Sequence, residues 1–265
     1  MPLYEKLLVT GAAGKLARHL RPALQPLARS VRLTDIAPID GAGGWEEVHL
    51  ADLADLEAMH AVMEGVEAVI HFGGLIREAP FPDILRTNML GTHNVWEAAL
   101  AAKAKRVVYA SSCHAVGMYR RDERLDAKSL QRPDGYYGLS KAFGEDVARL
   151  YWDRHGIEAA CLRIGSCFEE PTGERMLATW LSRDDMSRLV TACLRAPYLG
   201  YAIVYGMSAN GQTFWDNSAV DYIGYRPEDS AEFFRGKVGG MATPKDRDDP
   251  EVIFQAGSFA NGMTR

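Results

Sequence analysis

Six short runs rich in aliphatic and β-branched residues, KLLVT, SVRLTD, EEVHL, AVIHFG, RVVYASS and EAACLRIG, recur up to residue 165 with helical stretches such as GKLARHLRPAL and LEAMHAVMEG between them. A helix between two strands carries the chain back to start the next strand in the same direction, so the alternation demands a parallel sheet with helices on its faces. Several runs are apolar at consecutive positions, as strands covered on both sides must be. The expected fold class is therefore α/β, a doubly wound parallel sheet. With no Ser/Gly linker, repeat or low-complexity tract, the 265 residues are expected to form a single domain, 1–265, in which 165–265 contributes a small C-terminal substrate-binding cap. Within that segment Ser182 and Asp185 stand at capping-box spacing and mark a helix start in SRDDMSRLVTACLRAP.

The first strand runs into TGAAGKLA, where Gly11 and Gly14 fit GxxGxxG with Ala17 at the third position, the signature of a Rossmann-type nucleotide site. Small residues let the backbone approach a pyrophosphate, and the helix that begins at Lys15 and Leu16 offers unpaired N–H groups and the positive end of its dipole. Asp35 closes the second strand about 20 residues beyond Gly14, where an aspartate accepts hydrogen bonds from adenosine ribose hydroxyls and repels a 2′-phosphate. That favours NAD. Lys15 and Arg18 pull towards NADP, and a turn before IAPIDG is the purely structural alternative for Asp35. Asp52 and Leu53 are placed to hold the adenine edge and face, and Phe72, Gly73 and Gly74 in HFGG let the chain pass close to the ribose and nicotinamide. His71, beside them, reads as a packed strand-end histidine.

YYGLSK contains Tyr137 and Lys141, whose i, i+4 spacing puts both on one helix face. A cation near a phenol favours the phenolate, a base for taking a proton from an alcohol. The strand end ASSCH adds Ser112, able to hydrogen-bond the reacting oxygen, and His114, able to meet a ring hydroxyl. Ser111 reads as a residue that satisfies the backbone at the strand terminus.

Taken in order, LLVTGAAG, DLAD, ILRTNMLGTHN, ASSCH, RPDGYYGLSKAFGE, RIGSC, RMLATWLSRDD and NGQTFWDNS resemble the extended short-chain dehydrogenases/reductases, the NAD-dependent epimerase/dehydratase family, over essentially the whole chain, and within them most closely the uronate dehydrogenases. The resemblance implies NAD-dependent oxidation of a hexuronic acid at its anomeric carbon to an aldarolactone, without a metal. It implies Tyr137 as base, Lys141 on the nicotinamide ribose, Asn88 among the cofactor residues, and Ser112, Cys113, His114, Ser166 and Arg175 around the sugar acid. Arg175 suits a carboxylate in two-point contact. Two positions depart from the pattern: Cys113 stands where that family has asparagine, and Ile76 where it has serine, so two hydrogen-bonding opportunities in the substrate site are lost.

Composition closes off other classes. A formal charge of −5, 47% hydrophobic and 25% charged residues give no block of one sign, so neither nucleic acid nor an anionic membrane is an expected partner. No run approaches the ~20 apolar residues of a membrane span. Four cysteines without metal or CxxC spacing point to reduced thiols, and the expectation is a cytoplasmic homo-oligomer acting on a small sugar acid. FWDNSAVDYIGY, near the C-terminus, is suited to closing the site or burying a subunit contact. The competing readings are a sugar-nucleotide epimerase or dehydratase, a dehydrogenase of another small hydroxy acid, and a non-catalytic NAD sensor.

Overall fold

Seven parallel strands form one sheet in the order β3-β2-β1-β4-β5-β6-β7 in the computed structural model, which describes residues 1–239 and 248–261. They are β1 (Tyr4–Thr10), β2 (Ala28–Asp35), β3 (Glu46–Leu50), β4 (Ala68–His71), β5 (Arg106–Tyr109), β6 (Glu158–Ile164) and β7 (Tyr201–Gly206). The helices that matter for the site are α1 (Lys15–Leu24), α2 (Leu56–Met63), α3 (Phe81–Ile84), α4 (Gly91–Ala101), α5 (Tyr136–His155), α6 (Glu174–Thr179) and α7 (Arg183–Arg195). The strand order reverses between β1 and β4, and a doubly wound sheet opens its ligand crevice at such a reversal, beyond the carboxyl ends of the strands.

Alternation along each strand builds two cores. In β1, Leu7 and Val9 face one side with Leu20 and Leu24 of α1 and Met186 and Leu189 of α7; Leu8 faces the other with Met59 of α2, Trp96 of α4 and Ala148 of α5. All of these are fully enclosed, and each leucine contributes about 1.5–3 kcal/mol by leaving water.

The C-terminal segment departs from its expected role. YAIVYG, which the sequence reading left inside the cap, pairs in parallel with β6 as β7, and α7 packs on the same layer as α1. A six-residue apolar run flanked by glycines carries too little periodicity to be told from buried loop or helix. Residues 165–265 thus extend the sheet as well as cover its end. Ser182 caps α7, its Oγ accepting the Asp185 N–H at 2.8 Å. Only half of the capping box forms: Asp185, shorter than the usual glutamate, instead accepts the N–H groups of Glu228 and Asp229 at 2.8 and 3.0 Å. In FWDNSAVDYIGY, Trp215 is fully enclosed and stacks on Tyr205 at 5.2 Å, so that much of the motif fills the chain's own interior.

Candidate active site

At the strand-order reversal the loops after β1 and β4 cross in contact. Gly11 has φ +68, and a Cβ there would lie 2.7 Å from the Gly73 nitrogen; a Cβ on Gly73 would lie 2.7 Å from Leu53 Cδ1. Glycine is required by both the angle and the crossing. α1 starts from Gly14 with no side-chain cap, so its first-turn N–H groups and positive end remain for an anion, beside half-buried Leu16 and exposed Lys15. Asp35 makes the turn contact given as its structural alternative, Oδ1 accepting the Ala37 N–H at 3.0 Å, while Oδ2 accepts the Ala13 N–H at 3.0 Å and so lies against the glycine loop. Asp52 accepts from Ala54 N–H at 2.9 Å and pairs with Arg86 at 2.7 Å, and buried Leu53 lies under the crossing. These features fit a dinucleotide. Substituting Asp35→Ala is expected to weaken NAD binding more than NADP binding, because a ribose acceptor and a repulsive charge vanish together; an unchanged preference in paired titrations would move cofactor selection to Lys15.

His71 is enclosed between two hydroxyls, Thr10 Oγ1 at 2.7 Å from Nδ1 and Thr92 Oγ1 at 3.1 Å from Nε2. Burial first, and the Lys141 charge second, lower its pKa to about 3. An unfolded histidine protonates near 6.5, so between those values the unfolded chain binds a proton that the native site refuses, and stability falls as the pH falls, by about 1.4 kcal/mol per unit. Thermal melts from pH 6.5 down to pH 4.5 should therefore show a shallower slope in His71→Asn; an equal slope would assign the acid sensitivity to other groups.

Asn88, expected at the cofactor, commits both amide N–H groups to the protein. It lies in a π-helical turn, Leu85–Leu90, between α3 and α4. Oδ1 accepts the Leu75 N–H at 2.7 Å, and Nδ2 donates to the Leu75 carbonyl and to Ser140 Oγ, each at 3.0 Å. Gly74, at φ +141, gives the turn that lets this amide in. Asn88 thus ties the loop after β4 to α5. Glu78, in the same loop, accepts the N–H groups of Tyr136 and Tyr137 at 2.8 and 3.0 Å, capping the α5 N-terminus with a negative charge.

Tyr137 follows that cap and is buried, with Ser112 near enough to its phenol to lower the pKa. Lys141 Nζ donates to the Ala110 carbonyl at 2.8 Å and lies 5.7 Å from the Tyr137 ring centre. Here the electrostatics differ from expectation. Burial holds the Tyr137 phenol above its ordinary pKa, Ser112 lowers it only in part, and the same burial lowers Lys141 to about 8. Taken alone the site keeps the phenol protonated, because desolvation outweighs the lowering effect of Ser112.

Of the residues expected around a sugar acid, Ser112, Cys113 and His114 share one turn and Ser166 and Arg175 are hydrogen-bonded. Ser112 caps a 3-10 turn, Cys113–Val116, accepting the His114 N–H at 3.2 Å. Cys113 is buried, and burial raises its thiol pKa against the lowering effect of the Arg175 charge. Arg175, on α6, donates to Ser166 Oγ at 3.2 Å and to the Gln255 carbonyl at 3.0 Å. Ile76 is not packed into this cluster; it stands 78% exposed on the loop after Gly74. Ser111 donates to Glu145 Oε1 at 2.6 Å, a buried carboxylate paired with Arg163, rather than to the backbone. Four residues escaped the sequence reading: Glu78, Asp134, Gln255 and Phe259. Asp134 in RPDG carries only the signal of a turn, and Phe259, which stacks on His114 with ring centres 3.9 Å apart, lies in a C-terminal stretch that carries no motif.

The sequence profile of the NAD dependent epimerase/dehydratase family matches residues 7–193. The chain is 48% identical to the uronate dehydrogenase of Pseudomonas syringae pv. tomato, over 97% of this chain and 93% of the relative. Among solved structures it superposes on the glucuronic acid dehydrogenase from Chromohalobacter salexigens with TM-score 0.94 at 46% identity, covering 97% of each chain. A tyrosine-to-alanine mutant of the uronate dehydrogenase from Agrobacterium tumefaciens, complexed with NAD, gives TM-score 0.93 at 46% identity, again over 97% of each chain. With crossed glycine loops, a YxxxK helix and these relatives over nearly its whole length, the chain belongs to the NAD dependent epimerase/dehydratase family.

Proposed function

We propose that this protein oxidises a hexuronic acid of the galacturonate or glucuronate type at the anomeric carbon, giving an aldarolactone, with NAD as acceptor. The observation that carries the reading is Arg175, hydrogen-bonded to Ser166 and electrostatically coupled to Cys113, the neighbour of the Ser112 that lies beside the Tyr137 phenol. A guanidinium anchors a carboxylate, and the serine–tyrosine pair receives the hydroxyl at the other end of the sugar. Gly11, Gly14, Lys15, Leu16, Asp35, Asp52, Leu53, Phe72, Gly73 and Gly74 would hold the dinucleotide, and Lys141 its nicotinamide ribose, with Asn88 fixing the loop beneath. When bound, NAD supplies the two-electron acceptor and a positive charge near the phenol. The chain's own part is proton transfer and orientation: Tyr137 takes the anomeric hydroxyl proton while Ser112 bonds the same oxygen.

The test is a panel of sugar acids and the matching neutral sugars with NAD, followed by NADH absorbance. Net NADH formation on uronates supports the proposal; turnover without net NADH would favour an epimerase. The rival is also disfavoured by space, since β7 and α7 take part of the segment that would have to cradle a nucleotide sugar. Cys113 is buried next to Ser112 while Ile76 is exposed outside the cluster, so of the two departures Cys113 is the one placed to alter substrate choice. The four free thiols support a reducing, cytoplasmic compartment. Partly exposed Phe81 and Tyr136, in ring contact at 5.2 Å with Leu85 and Leu139 a turn further on, support a homo-oligomer, to be read by sedimentation.

A further inference from the structure

Asp134 precedes α5 with its side chain fully enclosed. Oδ2 lies 2.5 Å from His114 Nδ1, and Oδ1 has no hydrogen-bond partner among the described residues. Two glycines make the space: a Cβ on Gly117 would collide with this carboxylate, and one on Gly138, directly after Tyr137, would lie 2.8 Å from its Oδ1. A buried carboxylate with one oxygen unpaired is costly, so its single contact is the one that the local packing is arranged around. That contact is His114. Phe259 stacks on the imidazole, and the Tyr137 ring meets it edge-on at 5.7 Å, so the ring is held from two further sides. The remaining ring nitrogen, Nε2, makes no hydrogen bond to any described residue and is not among the fully enclosed orphan atoms.

We propose that Asp134 is a positioning residue that selects the substrate's hydroxyl configuration through His114. By accepting the Nδ1 proton it fixes the tautomer in which Nε2 is an acceptor, and it aims that nitrogen at a ring hydroxyl of the sugar acid. A hydroxyl directed at Nε2 is bound; in the epimer that directs it away, the nitrogen is left unpaired in a dry pocket. The inference rests on the uronate reading of the site and deepens it, assigning epimer discrimination to the dyad and carboxylate binding to Arg175.

Asp134→Leu tests this, because the similarly sized side chain offers Nδ1 no acceptor and leaves the proton free to settle on Nε2. Histidine-selective nitrogen NMR without substrate, with His114→Gln identifying the signal, should read an Nδ1–H tautomer in the parent and Nε2–H in the variant. Kinetics should show KM for the preferred uronate rising about tenfold and the galacturonate-to-glucuronate ratio of kcat/KM shifting by about fivefold or more, with KM for NAD nearly unchanged. An unchanged tautomer, or a reversed tautomer with unchanged uronate KM and epimer ratio, would overturn the inference. A parent that turns over no uronate removes the proposed substrate, and the substrate-free NMR then decides the dyad alone.

Discussion

Replacing Tyr137 by phenylalanine is expected to lower kcat by 10²–10⁴-fold or more, the usual range for losing a positioned acid–base group, while NADH binding changes little. The ring makes its packing contacts with His114 and Phe259 through carbon, so the variant keeps the shape of the pocket and loses only the phenol oxygen. Burial raises the pKa of that phenol in the protein alone. A bound nicotinamide would add positive charge that favours the phenolate, so proton transfer is expected to follow cofactor binding. Stopped-flow turnover and fluorescence titration of NADH separate the two effects. Parent-like turnover in Tyr137→Phe would remove the tyrosine from the chemistry.

Arg175→Ala should raise KM for a uronate by about 2 kcal/mol or more, some 30-fold, with a smaller loss on the matching neutral sugar. Arg175 also holds the Gln255 carbonyl and Ser166. Part of the loss will therefore fall on every substrate, and the excess on acids measures the carboxylate contact. Arg175→Lys refines the comparison: it keeps the charge and loses the planar fork, so an intermediate KM is expected. Equal losses on acids and neutral sugars would show that Arg175 only braces the pocket.

The fold was legible because a doubly wound sheet writes itself into local pattern. KLLVT, AVIHFG and RVVYASS are strands buried on both faces, and Gly11 and Gly73 are needed where two loops cross, a demand that few other residues meet. The candidate site was reached partly through motifs, which gave Tyr137 and Ser112, and partly through family resemblance, which gave Ser166 and Arg175; the last two are hydrogen-bonded in the structure. What stayed hidden depends on contacts distant in sequence. YAIVYG looks like any short apolar run until β6 pairs with it. Asp134 looks like a turn aspartate until Gly117 and Gly138 admit it to His114. The protonated state of Tyr137 was misjudged because spacing reveals the lysine and says nothing of how much water is excluded around both.

The segment that crosses Arg175 bears on how the enzyme is made. Gln255 donates to the carbonyls of Arg120 and Glu123, accepts from the Trp215 indole, and offers its own carbonyl to Arg175, while Phe259 covers His114. These contacts join residues from 40 to 145 positions apart in the chain. On a ribosome the nucleotide crevice, built from β1, β2 and β4, is ready to form long before the sugar pocket acquires its last wall. The wall that residues 255–259 place against Arg175 and His114 is therefore the last part of the candidate site to be made, after the whole of the dinucleotide crevice.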